Sequence, residues 1–189
     1  TFDLRGHAES DADKERVTRQ DGLDDVIAAY DYLASQPLID RAAIGVVGTS
    51  YGGYLAMLLT THRPVRWLAM RVPALYPDEH WETPKAKLDK AVVRAYRQRP
   101  HEAGADRALS ACAAFRGDVL IVESERDEQI PREAMISMQG AFREANSLSH
   151  RIIQGATHAM RDERHQRIYA TLLTGWIEEM VRASRLTYR

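Results

Sequence analysis

The sequence predicts an α/β protein: a mostly parallel sheet with helices on both faces. Three observations lead there. Short β-rich apolar runs alternate with helical patterns along the chain, as in βαβ units. The runs are apolar throughout and bounded by Gly, Pro or charged residues, as parallel strands buried on both faces are. A Gly-x-Ser-x-Gly turn then joins one such run to a helix that is apolar nearly all round. The 189 residues, 44% hydrophobic and 28% charged, suit one globular domain and exclude collagen-like, coiled-coil and wholly disordered chains.

The elements follow in order. Thr1-Phe2-Asp3-Leu4 reads as the end of a strand, so further chain upstream is expected. Leu23, Val26, Ile27, Tyr30 and Leu33 recur at helical spacing. Ala43–Val47 is a strand candidate, and Tyr51 to Thr61 is a buried helix ending before Pro64. Trp67–Val72 is the next strand. The excursion at 77–117 is too long for an ordinary loop and predicts a short helical cap inserted in the single domain 1–189. Thr83 and Pro84 mark a helix start there and Pro100 a stop, with Leu88, Val92, Ala95 and Tyr96 as an inner stripe. A second helix runs near Asp106 to Phe115. Strand Val119–Val122, a helix after Ile130-Pro131 and strand Arg151–Ile153 follow. Tyr169, Leu172, Leu173, Trp176, Ile177, Met180 and Val181 form the stripe of a C-terminal helix.

Composition narrows the partners. A net charge of −1 supplies no global pull toward nucleic acid or an anionic membrane, and neither is expected as a partner. The longest apolar run is far short of a membrane span, and a cytoplasmic location is expected. The single cysteine, Cys112, lies in an Ala-rich run and reads as a small buried hydrophobe. No metal or other cofactor is called for. Lys85, Lys87, Lys90, Arg94, Arg97 and Arg99 give the cap helix a basic outer side. Such a side either attracts an anionic substrate or is a solvated face, and helical charge runs favour the second.

The sharpest local signal is Gly48-Thr49-Ser50-Tyr51-Gly52-Gly53. A serine on a tight strand-to-helix turn is held clear of the sheet, and small residues two positions either side let backbones pass closely. The Tyr51 N–H, at the helix N-terminus, points to where an oxyanion would form. A serine hydroxyl needs a base to take its proton, and the base needs an orienting carboxylate. Of seven histidines, only His158 lies in a loop just past a strand candidate, at the same sheet edge as Ser50. The others fall in helices, the cap or the polar stretch after Leu4. Asp127 is the carboxylate best placed to reach over the edge. Glu125 and Glu128 are its rivals, and Glu123 is too close to the strand. Tyr76, His80 and Trp81 leave a strand's C-terminal end and are placed at the mouth of the acyl site, although Trp81 equally suits an anchor for the cap helix.

These segments resemble the α/β-hydrolase superfamily. Thr1 to Ser10 is similar to its D-x-R-G-x-G-x-S segment, with Ala8 in place of a usual Gly. Gly48 to Gly53 resembles its nucleophile elbow, Glu123 to Pro131 its acid loop, with Ser124 for a common Gly, and Gly155 to His158 its histidine loop. The elbow is most similar to the dienelactone-hydrolase-like and prolyl-oligopeptidase-like branches. The resemblance implies a serine hydrolase acting on a small-molecule acyl substrate, with Ser50 as nucleophile, His158 as base, Asp127 as its partner and Tyr51 as one oxyanion donor. Ester cleavage is the leading expectation. Peptide cleavage, or a non-catalytic binding domain, is the alternative. The family's first three strands and second oxyanion donor have no counterpart in the chain, so a further segment or fragment completing the sheet is expected.

Overall fold

The structure, a computed structural model, describes residues 1–186. Strands β1 (Gly45–Thr49), β2 (Trp67–Arg71), β3 (Asp118–Arg126) and β4 (Ser147–Thr157) form one parallel sheet in the order β1-β2-β3-β4. Each strand lies beside its predecessor, and parallel pairing forces every link to cross over the sheet. Helix α1 (Arg19–Ala34) precedes β1, and the crossovers carry α2 (Tyr51–Leu59), α3 (Lys90–Arg97), α4 (Arg107–Ala114) and α5 (Arg132–Ala141). Helix α6 (Glu163–Leu186) closes the described chain. Among the described residues no helix is long and apolar enough to cross a membrane.

The two-residue period of β2 divides the core. Leu68 and Met70 pack with residues of α1, α2, α4 and α5 on one face. Ala69 packs on the other face with Leu120, Val122 and Trp176 of α6. Tyr169, Leu172, Leu173 and Met180, four members of the predicted stripe, seat α6 there. Cys112 is buried in the first cluster with its Sγ 3.2 Å from the Met57 sulfur, and burial pushes its thiol pKa up.

Several elements differ from the sequence reading. Thr1–Leu4 forms no strand, because no ladder partner lies beside it among the described residues, and an isolated strand leaves its backbone groups unpaired. β1 pairs with β2 alone, and Val47 on β1 is 52% exposed. The cap helix starts later than Thr83-Pro84. A 3₁₀ turn occupies Lys85–Lys87, and Asp89 then caps α3 by accepting from the Ala91 and Val92 N–H groups. Nothing on α3 is fully buried: Val92 is 54% exposed, and of the predicted stripe on α3 only Tyr96 packs against the main core. α4, by contrast, is a core helix: Ala108, Leu109 and Cys112 pack in the main cluster. Within 77–117, only the stretch before α4 therefore stands out from the body.

A latch that the sequence did not reveal holds that stretch down. Arg19 is fully buried, and its guanidinium donates to the Pro77 carbonyl at 2.5 Å and the Glu79 carbonyl at 2.6 Å. The same cation lies over the rings of Tyr76 and Trp81, at 5.8 and 5.2 Å.

Candidate active site

The turn between β1 and α2 is strained as the motif predicts. Ser50 has φ 53° and ψ −115°, outside the regions open to L-residues without cost. The backbone ties it there: its N–H donates to the Arg71 carbonyl at 2.9 Å, and its carbonyl accepts from the Ala74 N–H at 3.0 Å. The glycines contribute unequally. A Cβ on Gly48 would lie 2.5 Å from the Gly52 carbonyl oxygen, and one on Gly53 would lie 2.8 Å from the Pro73 Cβ. A Cβ on Gly52 would meet nothing within 4 Å. Close approach therefore demands glycine at 48 and 53, whereas the sequence reading assigned that need to 48 and 52.

Three side chains from distant segments meet above this turn. His158, the first residue after β4, has Nε2 3.0 Å from the Ser50 Oγ and Nδ1 2.8 Å from an Asp127 carboxylate oxygen. The other Asp127 oxygen accepts from the backbone N–H groups of Gln129 and Ile130, at 2.8 and 2.7 Å. Burial pushes the Asp127 pKa up, but these hydrogen bonds and the nearby imidazole outweigh it and hold the carboxyl below its ordinary value. Its rivals are occupied elsewhere. Glu123 meets His150 at 3.1 Å, Glu125 accepts from the Gly155 N–H at 2.7 Å, and Glu128 faces the His158 backbone N–H at 3.4 Å, not the ring. β3 carries a register shift between Ser124 and Arg126, just before Asp127.

Arg71, at the end of β2, supports the histidine from beneath. It is buried, donates to the His158 carbonyl at 3.0 Å, and lies over the Tyr169 ring at 5.8 Å. Burial lowers its pKa. Its only signal in the sequence was an arginine in an otherwise apolar strand run. Of the other histidines, His7 stacks on the Tyr51 ring, with centroids 5.9 Å apart. His101 stacks on Tyr96 with ring centroids 3.9 Å apart, and His150 lies in strand β4 rather than in a helix or cap.

Tyr51 opens α2, where a backbone N–H has no intrahelical acceptor and is free to face an oxyanion. Of the three pocket candidates, only Tyr76 borders this region: it packs edge-on against Tyr51, with centroids 6.0 Å apart, and lines a cavity that Asp127 also walls. His80 lines a different cavity, between Arg19 and α3. Trp81 is only 7% exposed in the main core, and its indole N–H donates to Gln20 at 3.0 Å. That packing makes Trp81 the anchor of the projecting stretch, because a flat apolar ring with one satisfied donor fills a core better than a wet cleft.

A serine on a strained strand-to-helix turn, at the C-terminal edge of a parallel sheet, is the local arrangement of an α/β-hydrolase fold. The chain belongs to the prolyl oligopeptidase family, whose pattern it matches over residues 9–184. Solved structures of the same fold include Est1E from Butyrivibrio proteoclasticus with ferulic acid bound, 21% identical, with a TM-score of 0.69 over 95% of this chain and 75% of that one. A monoacylglycerol lipase from Paleococcus ferrophilus is 16% identical, with a TM-score of 0.65 over 94% of this chain and 81% of that one. Dipeptidyl peptidase 4 from Porphyromonas gingivalis is 21% identical, with a TM-score of 0.59 over 84% of this chain but only 22% of that one. A curated relative, an uncharacterized 31.7 kDa protein from the traX-finO intergenic region of Escherichia coli, is 40% identical over 53 residues. That match spans 28% of this chain and 18% of the relative's length.

Proposed function

We propose that this protein is an esterase-like serine hydrolase in which Ser50 is the nucleophile, His158 the general base and Asp127 the group that orients it. The observation that carries the reading is the unbroken hydrogen-bonded chain from Ser50 Oγ through both His158 ring nitrogens to Asp127, at 3.0 and 2.8 Å. Ser50 Oγ attacks the acyl carbon as His158 Nε2 takes its proton. The same imidazole returns that proton to the leaving group, giving an acyl-enzyme that water resolves by the reverse relay. Asp127 holds the Nδ1 proton in place and stabilises the imidazolium. The Tyr51 N–H is one oxyanion donor. A second donor, and a partner for the free edge of β1, come in this reading from a segment outside the described residues.

Membership of the prolyl oligopeptidase family supports a second reading, in which the acyl bond is a peptide. One experiment addresses both. The full-length protein is labelled with a fluorophosphonate, then assayed on 4-nitrophenyl esters and on matched peptide anilides. Labelling that Ser50→Ala abolishes, with ester turnover ahead of anilide turnover, is expected. Ser50→Ala should lower turnover by about a millionfold. Labelling that persists in Ser50→Ala moves the chemistry elsewhere, and absence of labelling and turnover in the wild type leaves a binding domain.

A further inference from the structure

The cavity beside Asp127 has a volume of about 520 Å³, and its walls are lopsided in charge. Lys85, Lys90, Arg94 and Arg97 line it from the projecting stretch, with Asp127 and Glu128 opposite. Both carboxylates already have partners around His158: Asp127 its ring and Glu128 its backbone N–H. None of the four cations forms an ion pair among the described residues.

Two of the four are half-buried and fixed in place. The Lys85 backbone N–H donates to the Val17 carbonyl at 2.8 Å, and its ammonium lies 4.6 Å from the centre of the Tyr51 ring, on the residue next to Ser50. Arg97 donates from Nε to the Leu75 carbonyl at 2.8 Å and lies over the Tyr76 ring at 4.7 Å. Burial and the neighbouring Arg97 push the Lys85 pKa down. Two adjacent half-buried cations with no ion-pair partner among the described residues are a cost that the carboxylates across the cavity offset only in part, and an arriving anion would offset it further. A merely solvated basic face would not need one cation held against Tyr51 and another against Tyr76.

We infer that the substrate of this site carries an anionic oxygen group, a carboxylate or a phosphate, which Lys85 and Arg97 bind while the acyl carbon sits at Ser50. The inference rests on the hydrolase reading above and names the substrate class for it. Lys90 and Arg94, more exposed on α3, add attraction at the mouth.

The test compares kcat/KM of the full-length protein for the 4-nitrophenyl monoester of glutarate and for its neutral counterpart, 4-nitrophenyl valerate. The anionic ester should be favoured, and the preference should shrink as salt rises. In Lys85→Glu or Arg97→Gln the anionic-to-neutral ratio should fall by about tenfold to a hundredfold, the range of a charge-assisted contact. Competition by glutarate and by inorganic phosphate, on the wild type, distinguishes the two anions by which inhibits at the lower concentration. Turnover of both esters with an equal ratio in wild type and variants, or inhibition by neither anion, overturns the inference and leaves the hydrolase reading standing. No turnover of either ester and no fluorophosphonate labelling overturns both. If a variant does not fold, the wild-type ratio, its salt dependence and the competition decide the matter.

Discussion

Alanine substitutions at Gly48 and Gly52 separate two residues that a motif treats alike. The added Cβ at Gly48 would sit 2.5 Å from the Gly52 oxygen, 2.7 Å from its carbonyl carbon and 2.8 Å from the Gly53 Cα. All three are backbone atoms, which no side-chain rotation can clear, so the start of α2 must retreat from β1 by about 1 Å in a close-packed interior. Overpacking of this kind costs about 1–3 kcal/mol, and backbone contacts place Gly48→Ala at the upper end. For a domain of this size each kcal/mol moves Tm by roughly 2–4 °C, which gives a fall of about 6–12 °C. Gly52→Ala meets open space and replaces a helical glycine, a gain of up to about 1 kcal/mol. Its Tm should equal or slightly exceed the wild type. Thermal unfolding of the three proteins by circular dichroism in one buffer makes the comparison, with fluorophosphonate labelling as a second readout of the Ser50 position. Equal melting of Gly48→Ala and wild type, or an equal loss in both variants, would refute the close-approach argument.

Asp127→Asn should lower kcat by about ten-thousandfold in ester hydrolysis, because an amide cannot hold the Nδ1 proton of His158 in the productive tautomer. The same variant tests linkage: a carboxyl held below its unfolded value of about 3.9 stabilises the fold above that pH and loses this contribution as pH falls through the folded value. Acid titration of stability should therefore be shallower below about pH 4 in Asp127→Asn than in the wild type. Arg71→Met should cut kcat by about tenfold to a hundredfold with little change in KM, since it removes the charged donor on the His158 carbonyl, and Arg71→Lys should recover part of the loss. An unchanged kcat would make Arg71 a packing residue only. Ala8 adopts φ 45°, in the left-handed region that favours glycine, so Ala8→Gly should raise Tm by about 2–4 °C, the equivalent of roughly 1 kcal/mol. A lower Tm would show that chain entropy outweighs the relieved strain.

What the sequence determined by itself were features whose physics is local. Four apolar runs became the four strands, and the central two, β2 and β3, are buried on both faces as continuous apolar runs predict. The Ser50 turn was legible because glycines and a serine between a strand and an apolar helix admit few backbone paths, and His158 because it follows a strand directly. Partners distant in the chain were decided only in the tertiary structure. His158 finds Asp127 across 31 positions and Ser50 across 108, and sequence spacing constrains neither meeting. Asp127 was favoured over Glu125 and Glu128 by its place beyond the strand, but only the folded chain sets its carboxylate against the imidazole. The same holds for Trp81, drawn into the core by Gln20 and Arg19, and for α4, which packing turned from cap into core. It holds again for the basic residues of the projecting stretch. A helical charge run reads as a solvated face until the fold shows what lies across from it, and here Lys85 and Arg97 lie over the rings of Tyr51 and Tyr76. Charge and hydrophobicity are properties of a residue, whereas burial and partner are properties of its surroundings, which the chain creates only when it has folded.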